Sequence, residues 1–208
     1  PMVLVQASRT DALVVQSFRV PPGMAARGLT GEVVATQLLD RLAEMQQQSE
    51  SMRAASSYAN NWENDLKIDI PNTGATAEQV WRLLRGWLGK ETRISGEVIE
   101  APGGLALTAR VGSEPGRRFV SQSGDLDALV TQGADLVYSQ TQPYRHAVYL
   151  MGQSDGRARL MAALMRLTAH ESPVERKWAY NGLAVSLRGE GDFRGALAMA
   201  ERALAIDP

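Results

Sequence analysis

The sequence predicts an α/β (α+β) mixed-sheet domain followed by an all-α region of helical hairpins. Strand-like runs closed by proline or glycine alternate with helical periodicities over roughly the first 124 of its 208 residues. A hairpin pattern then closes the strand set. Beyond Asp125 every apolar pattern has helical spacing, so the order reads β-α-β-α-β-β-(β)-α and then helices only.

The chain starts Pro1-Met2-Val3-Leu4-Val5-Gln6, without the basic flank or the cleavage motif of a signal peptide. Residues 1–11 read as a linker or remnant, and the start as a cut within a longer protein. From Ala12 the run ALVVQSFRV is β-branched and stops at Pro21-Pro22-Gly23, which predicts a strand. Thr30 is the expected N-cap of the next helix, with Glu32 in its first turn where the helix dipole favours an anion. Val33, Val34, Leu38, Leu42 and Met45 recur at helical spacing and make its core face. Residues 46–64 lose that period and are rich in Gln, Ser and Asn, so they read as a surface connection with at most one helical turn.

Leu66-Lys67-Ile68-Asp69-Ile70 alternates strictly and runs into Pro71-Asn72-Thr73-Gly74, the pattern of a half-buried strand entering a turn. Thr76-Ala-Glu-Gln79 has the form of a capping box. It opens a helix with the stripe Val80, Leu83, Leu84, Trp87 and Leu88, stopped by Gly89. Thr92 to Glu100 alternates again, Pro102-Gly103-Gly104 turns, and Leu105 to Val111 returns as a hairpin. A further short strand falls around Arg117 to Ser121. Ser123-Gly124-Asp125 then starts a long helix carrying Leu126, Leu129, Val130, Ala134, Val137 and Tyr138.

Domain limits follow. Residues 12–124 form the α/β domain, and 125–208 form a helical region. Within the latter, about 143–169 is an irregular helix pair, YRHAVYL and GRARLMAALMRL, and about 175–208 is one regular pair. In that last pair Tyr180, Ala184 and Leu187 share a helix face. Ala196, Ala200 and Ala203 permit close approach of the second helix, and Gly191-Asp192 supplies the turn.

Two resemblances attach to these residues. Tyr180, Leu183, Ala184, Leu187, Gly191, Phe193, Ala196, Ala200, Ala203 and Pro208 fall on the positions of a tetratricopeptide repeat, which this segment resembles. A single such repeat cannot bury its own apolar faces, so the expectation is that neighbours cover it, including repeats or a capping helix beyond Pro208. ALVVQSF, ARGLTGEVVATQLLDRL and ISGEVIEAPGGLALTARV are similar to the TolB-type amino-terminal domain over roughly residues 12–140. This second resemblance implies a bacterial cell-envelope or membrane-associated setting, on the periplasmic side of the inner membrane, with a cytoplasmic regulatory protein as the alternative.

Composition excludes some functions and leaves others open. Net charge is −1, so no global field recruits nucleic acid. There is no cysteine, hence no disulfide, thiolate nucleophile or Cys-ligated metal. His146 and His170 stand apart, without carboxylates at metal-ligand spacing. Asp125 and Asp127 read as an acidic helix start rather than a catalytic pair. Glu63, Asp65 and Asp69 read as a solvated strand entry, and Arg117-Arg118 as solvated charges. Gly103-Gly104 lacks the following helix start that a phosphate cradle needs. No catalytic residue, metal site or cofactor is expected.

Trp178, Asn181, Val185 and Arg188 are spaced i, i+3, i+7 and i+10 and share one helix face. The tetratricopeptide resemblance implies that this face lines a concave groove for a protein or peptide partner. Tyr58 and Trp62, rings in a polar stretch, either dock the connection on the domain or form a second binding surface. The expectation is a non-enzymatic scaffold or adaptor, the soluble part of a longer membrane-associated bacterial protein. The alternative is a small-ligand sensor or regulatory domain of a signalling protein.

Overall fold

The computed structural model describes residues 12–49, 51–53, 55–56, 58–60 and 91–207. The strand expected at Leu66–Ile70, the helix expected behind Thr76–Gln79 and the acidic residues Glu63, Asp65 and Asp69 lie outside the described residues, as do residues 1–11.

The described elements are β1 (Ala12–Val15), α1 (Pro22–Ala25), α2 (Gly31–Gln48), β2 (Tyr58–Asn60), β3 (Glu91–Ala101), β4 (Gly104–Val111) and β5 (Arg117–Ser121). Helices α3 (Leu126–Thr141), α4 (Pro143–Leu150), α5 (Gly156–Leu167), α6 (Pro173–Gly189) and α7 (Phe193–Ile206) follow. The chain is therefore of mixed α/β class. The described residues separate into two compact units, one of residues 12–42, 56, 58–60 and 91–137, the other of residues 43–49, 51–53, 55 and 138–207. The division falls inside α3, at Val137/Tyr138, whereas the sequence placed it before that helix.

In the first unit the described strands form a five-stranded mixed sheet in the order β2-β1-β3-β4-β5. β1 runs parallel to both β2 and β3, with Leu13 opposite Tyr58 and Thr92. β3, β4 and β5 form an antiparallel meander. The β3–β4 turn is Pro102-Gly103, with Gly103 at φ +82°. A type II turn requires positive φ at its third position, and proline is common just before it.

One close approach explains a glycine in the middle of a strand. A Cβ on Gly96 would stand 2.2 Å from Cε1 of Phe18 and 2.5 Å from the Thr108 carbonyl oxygen, so the Phe18 ring lies directly on the β3 backbone.

The helical face of α2 is Val34, Ala35, Leu38, Leu42 and Met45, all buried. Val33, expected in that stripe, is exposed, because it is turned 100° from Val34. Thr30 caps the helix as expected, accepting from the Val33 amide at 3.3 Å. The run after Pro21 is not simply a stop. Pro22 starts the single turn α1, as proline can at a first helical position, and Met24 on it is buried. Val15, Ile94, Val98 and Leu107 of the sheet, Val34, Leu38 and Leu42 of α2, and Leu129, Val130 and Val137 of α3 make the core of this unit.

The second unit holds two helical hairpins, α4–α5 and α6–α7. Tyr144, Ala147, Leu150, Ala163, Leu164 and Leu183 form its core, with Trp178, Tyr180, Leu167 and Met199 packed against them. Asp192 caps α7 through a 2.8 Å bond from the Gly195 amide, and Gly191 before it adopts φ +83°. The connection read as exposed from residue 46 onward is corrected in part. α2 continues to Gln48, Ser49 is buried, and Tyr58–Asn60 form β2. A polar segment held by backbone carbonyls carries no apolar period to reveal it.

Candidate functional site

Ser172 caps α6, its hydroxyl accepting from the Glu175 amide, and Pro173 occupies the first turn. The helix buries Glu175, Ala179 and Leu183. Gly182 joins that face, since a Cβ there would lie 2.9 Å from Leu164 Cδ2 and 3.2 Å from Tyr144 Cε2. At 100° per residue, Tyr180, Ala184 and Leu187 occupy a neighbouring sector, and all three are half-buried. Arg202 of α7 stacks over the Tyr180 ring at 5.9 Å.

The remaining sector holds the four residues singled out by spacing. Val185 is 60% exposed. Arg188 is also exposed, and Asn181 is half-buried. Trp178 does not stand apart from the packing as expected. Its ring lies 5.4 Å from that of Tyr144, inclined by 37°, and it joins the rim of the core. The reason is angular: Trp178 is the member of the stripe turned nearest to the buried face through Glu175, Ala179 and Leu183. Its outer edge lines a pocket of about 290 Å³ with Pro173, Val174, Lys177, Ile206 and Asp207. Lys177 and Asp207 form an ion pair across the rim of this pocket.

Of the second expected surface, Tyr58 is half-buried in β2 at the edge of the described sheet, and Trp62 lies outside the described residues.

Sequence reasoning missed a buried polar cluster in the helical unit. Arg145 of α4 is buried and donates to the carbonyl oxygens of Arg53 at 2.6 Å, Gln46 at 3.0 Å and Ser49 at 2.9 Å. The Glu175 carboxylate, buried at the first turn of α6, pairs with Arg53 and accepts the Tyr144 amide at 3.1 Å. The Ser49 hydroxyl donates to the Met45 carbonyl at 2.6 Å and shares a 2.9 Å bond with the Tyr138 hydroxyl. Burial raises the Tyr144 hydroxyl pKa above the ordinary tyrosine value, while the Arg53 charge and a bond with Ser51 oppose that rise. Glu175 reads in sequence as an ordinary first-turn acid, and Arg53 sits in a stretch without pattern. The ion pair alone left no signal.

The other candidate polar groups are engaged structurally. Asp125 accepts the Ala128 amide as a helix cap, and Asp127 pairs with Arg41 at 2.8 Å. Nδ1 of His170 accepts the Ser172 amide at 3.1 Å. His146 packs edge-on to Tyr138 with ring centroids 5.9 Å apart. Arg117 lies over Phe119 on β5. Among the described residues, no three His, Asp or Glu side chains gather as metal ligands, and no helix is long and apolar enough to cross a membrane.

Comparison of the chain with protein-family models, with curated proteins and with solved structures gives no match.

Proposed function

We propose that the chain is a non-enzymatic interaction scaffold whose α6 stripe takes an extended peptide or a partner's terminal segment. The observation that carries this reading is the stripe itself. Val185 and Arg188 are exposed beside Asn181, and the stripe continues into the open edge of Trp178 and its pocket. Such a surface offers an apolar contact, an amide able to bond a peptide backbone, and a guanidinium for an acidic group. A rigid aromatic ring at one end supplies the anchor that peptide grooves commonly need.

The α6–α7 hairpin is of the tetratricopeptide type in this reading. Support comes from buried Ala196 and Ala203 at the close approach, the positive φ of Gly191 and the cap at Asp192. The sheet-bearing unit is of the TolB type, and the whole is the soluble part of a longer membrane-associated bacterial protein at the cell envelope. That placement rests on the resemblance of ALVVQSF and ISGEVIEAPGGLALTARV alone.

A displayed random-peptide library selected against the whole chain tests the groove. Selected peptides should carry an acidic residue, and Arg188→Glu should weaken their binding by about tenfold while Arg188→Lys keeps most of it. Peptides that bind Arg188→Glu and the parent chain equally well would place the contact elsewhere.

A further inference from the structure

Helix α7 carries a second exposed apolar face, distinct from the α6 stripe. Phe193 is 71% exposed, Leu197 61% and Leu204 60%, and with half-buried Ala200 they fall within a narrow sector of the helix. One side of this sector borders Ala196 and Ala203, the face buried in the hairpin. The other side carries Arg194 and Glu201, seven residues apart and both exposed.

We propose that this face pairs with the same face of a second copy of the chain, the two α7 helices running antiparallel about a two-fold axis. The charge pattern selects that occupant. In an antiparallel two-fold pair, a flank of one helix meets the same flank of the other. Arg194 of each copy would then meet Glu201 of the other, and the contact occurs twice. The apolar residues give the same register independently: Phe193 falls opposite Leu204, and Leu197 opposite Ala200. In the apolar register Arg194 stands two residues, about 3 Å of helix rise, from the level of Glu201 on the partner helix, within the reach of an arginine side chain. In a parallel two-fold pair the same flanks lie on opposite sides of the seam, so Arg194 and Glu201 would face the partner's Ala196 and Ala203 side and find no opposite charge. One face of a helix about 21 Å long is a small interface, so the dimer should be weak and concentration-dependent.

This pairing does not depend on the α6 groove, and its test does not involve Arg188. Sedimentation velocity of the whole chain over a concentration series should show a monomer–dimer equilibrium that weakens with salt. Leu197→Glu should abolish it, with circular dichroism confirming the fold, since Leu197 is mostly in solvent. Arg194→Glu alone and Glu201→Arg alone should each weaken association by about tenfold, because each creates two like-charge contacts. The combined variant Arg194→Glu with Glu201→Arg should restore it to near the parent value. A chain that stays monomeric at its highest soluble concentration overturns the proposal. So does a dimer insensitive to Leu197→Glu, or a combined variant no better than the single reversals.

Discussion

The Trp178 ring lies against that of Tyr144, with centroids 5.4 Å apart, so one side chain belongs both to the core of the helical unit and to the rim of its candidate groove. Trp178→Ala should therefore lower stability by about 2–3 kcal/mol, reading as a shifted urea midpoint with an unchanged slope. Asn181→Ala and Arg188→Ala should leave the midpoint within about 0.5 kcal/mol of the parent. Loss of peptide binding in those two variants would thus report on contact rather than on folding. A Trp178→Ala chain that melts like the parent would place the ring outside the core.

Ala196 is buried where α7 approaches α6. Ala196→Leu should destabilise the chain by about 1–3 kcal/mol, because the added methylenes have no space between the helices. An unchanged urea midpoint would show that the helices do not meet there.

The Arg53–Glu175 pair should show the asymmetry of buried charges. Arg53→Met leaves the Glu175 carboxylate buried beside the Tyr144 amide without its cation, at a cost of about 3 kcal/mol. Adding Glu175→Gln should recover a large part of that loss, since the uncompensated charge is gone. A double-mutant cycle by chemical denaturation measures the difference. Additive costs would show that the two groups do not interact.

Burial raises the Tyr144 pKa, so the folded chain holds that proton more tightly than the unfolded one. The resulting stability is fully present below the unfolded tyrosine value of about 10 and is lost as pH rises from there through the folded value. Urea midpoints should be flat with respect to this group from neutral pH to about pH 9 and fall beyond. Tyr144→Phe should reduce the alkaline slope. An identical slope in Tyr144→Phe would assign the fall to other groups.

Much of the fold was legible in the sequence because local chemistry settles it. Pro102-Gly103 fixes a turn, Thr30 fixes a helix start, Gly191-Asp192 fixes the turn between the last two helices, and the alternation of Thr92 to Glu100 fixes a strand with one buried face. Each signal acts within a few residues, so local pattern was enough for the strands β3 to β5, the helix α3, the spans of α4 and α5, and the last two helices with the turn between them. Tertiary structure alone decided features that join residues far apart in the chain. The three-residue strand β2 exists only through its parallel pairing with β1. Arg145 reaches carbonyls about a hundred residues earlier, and Glu175 meets Arg53 across a similar separation. Trp178 belonged by period to an open stripe, but Tyr144 on another helix drew its ring into the core. A periodicity assigns directions around one helix. Only the neighbours packed on that helix determine which of those directions water still reaches.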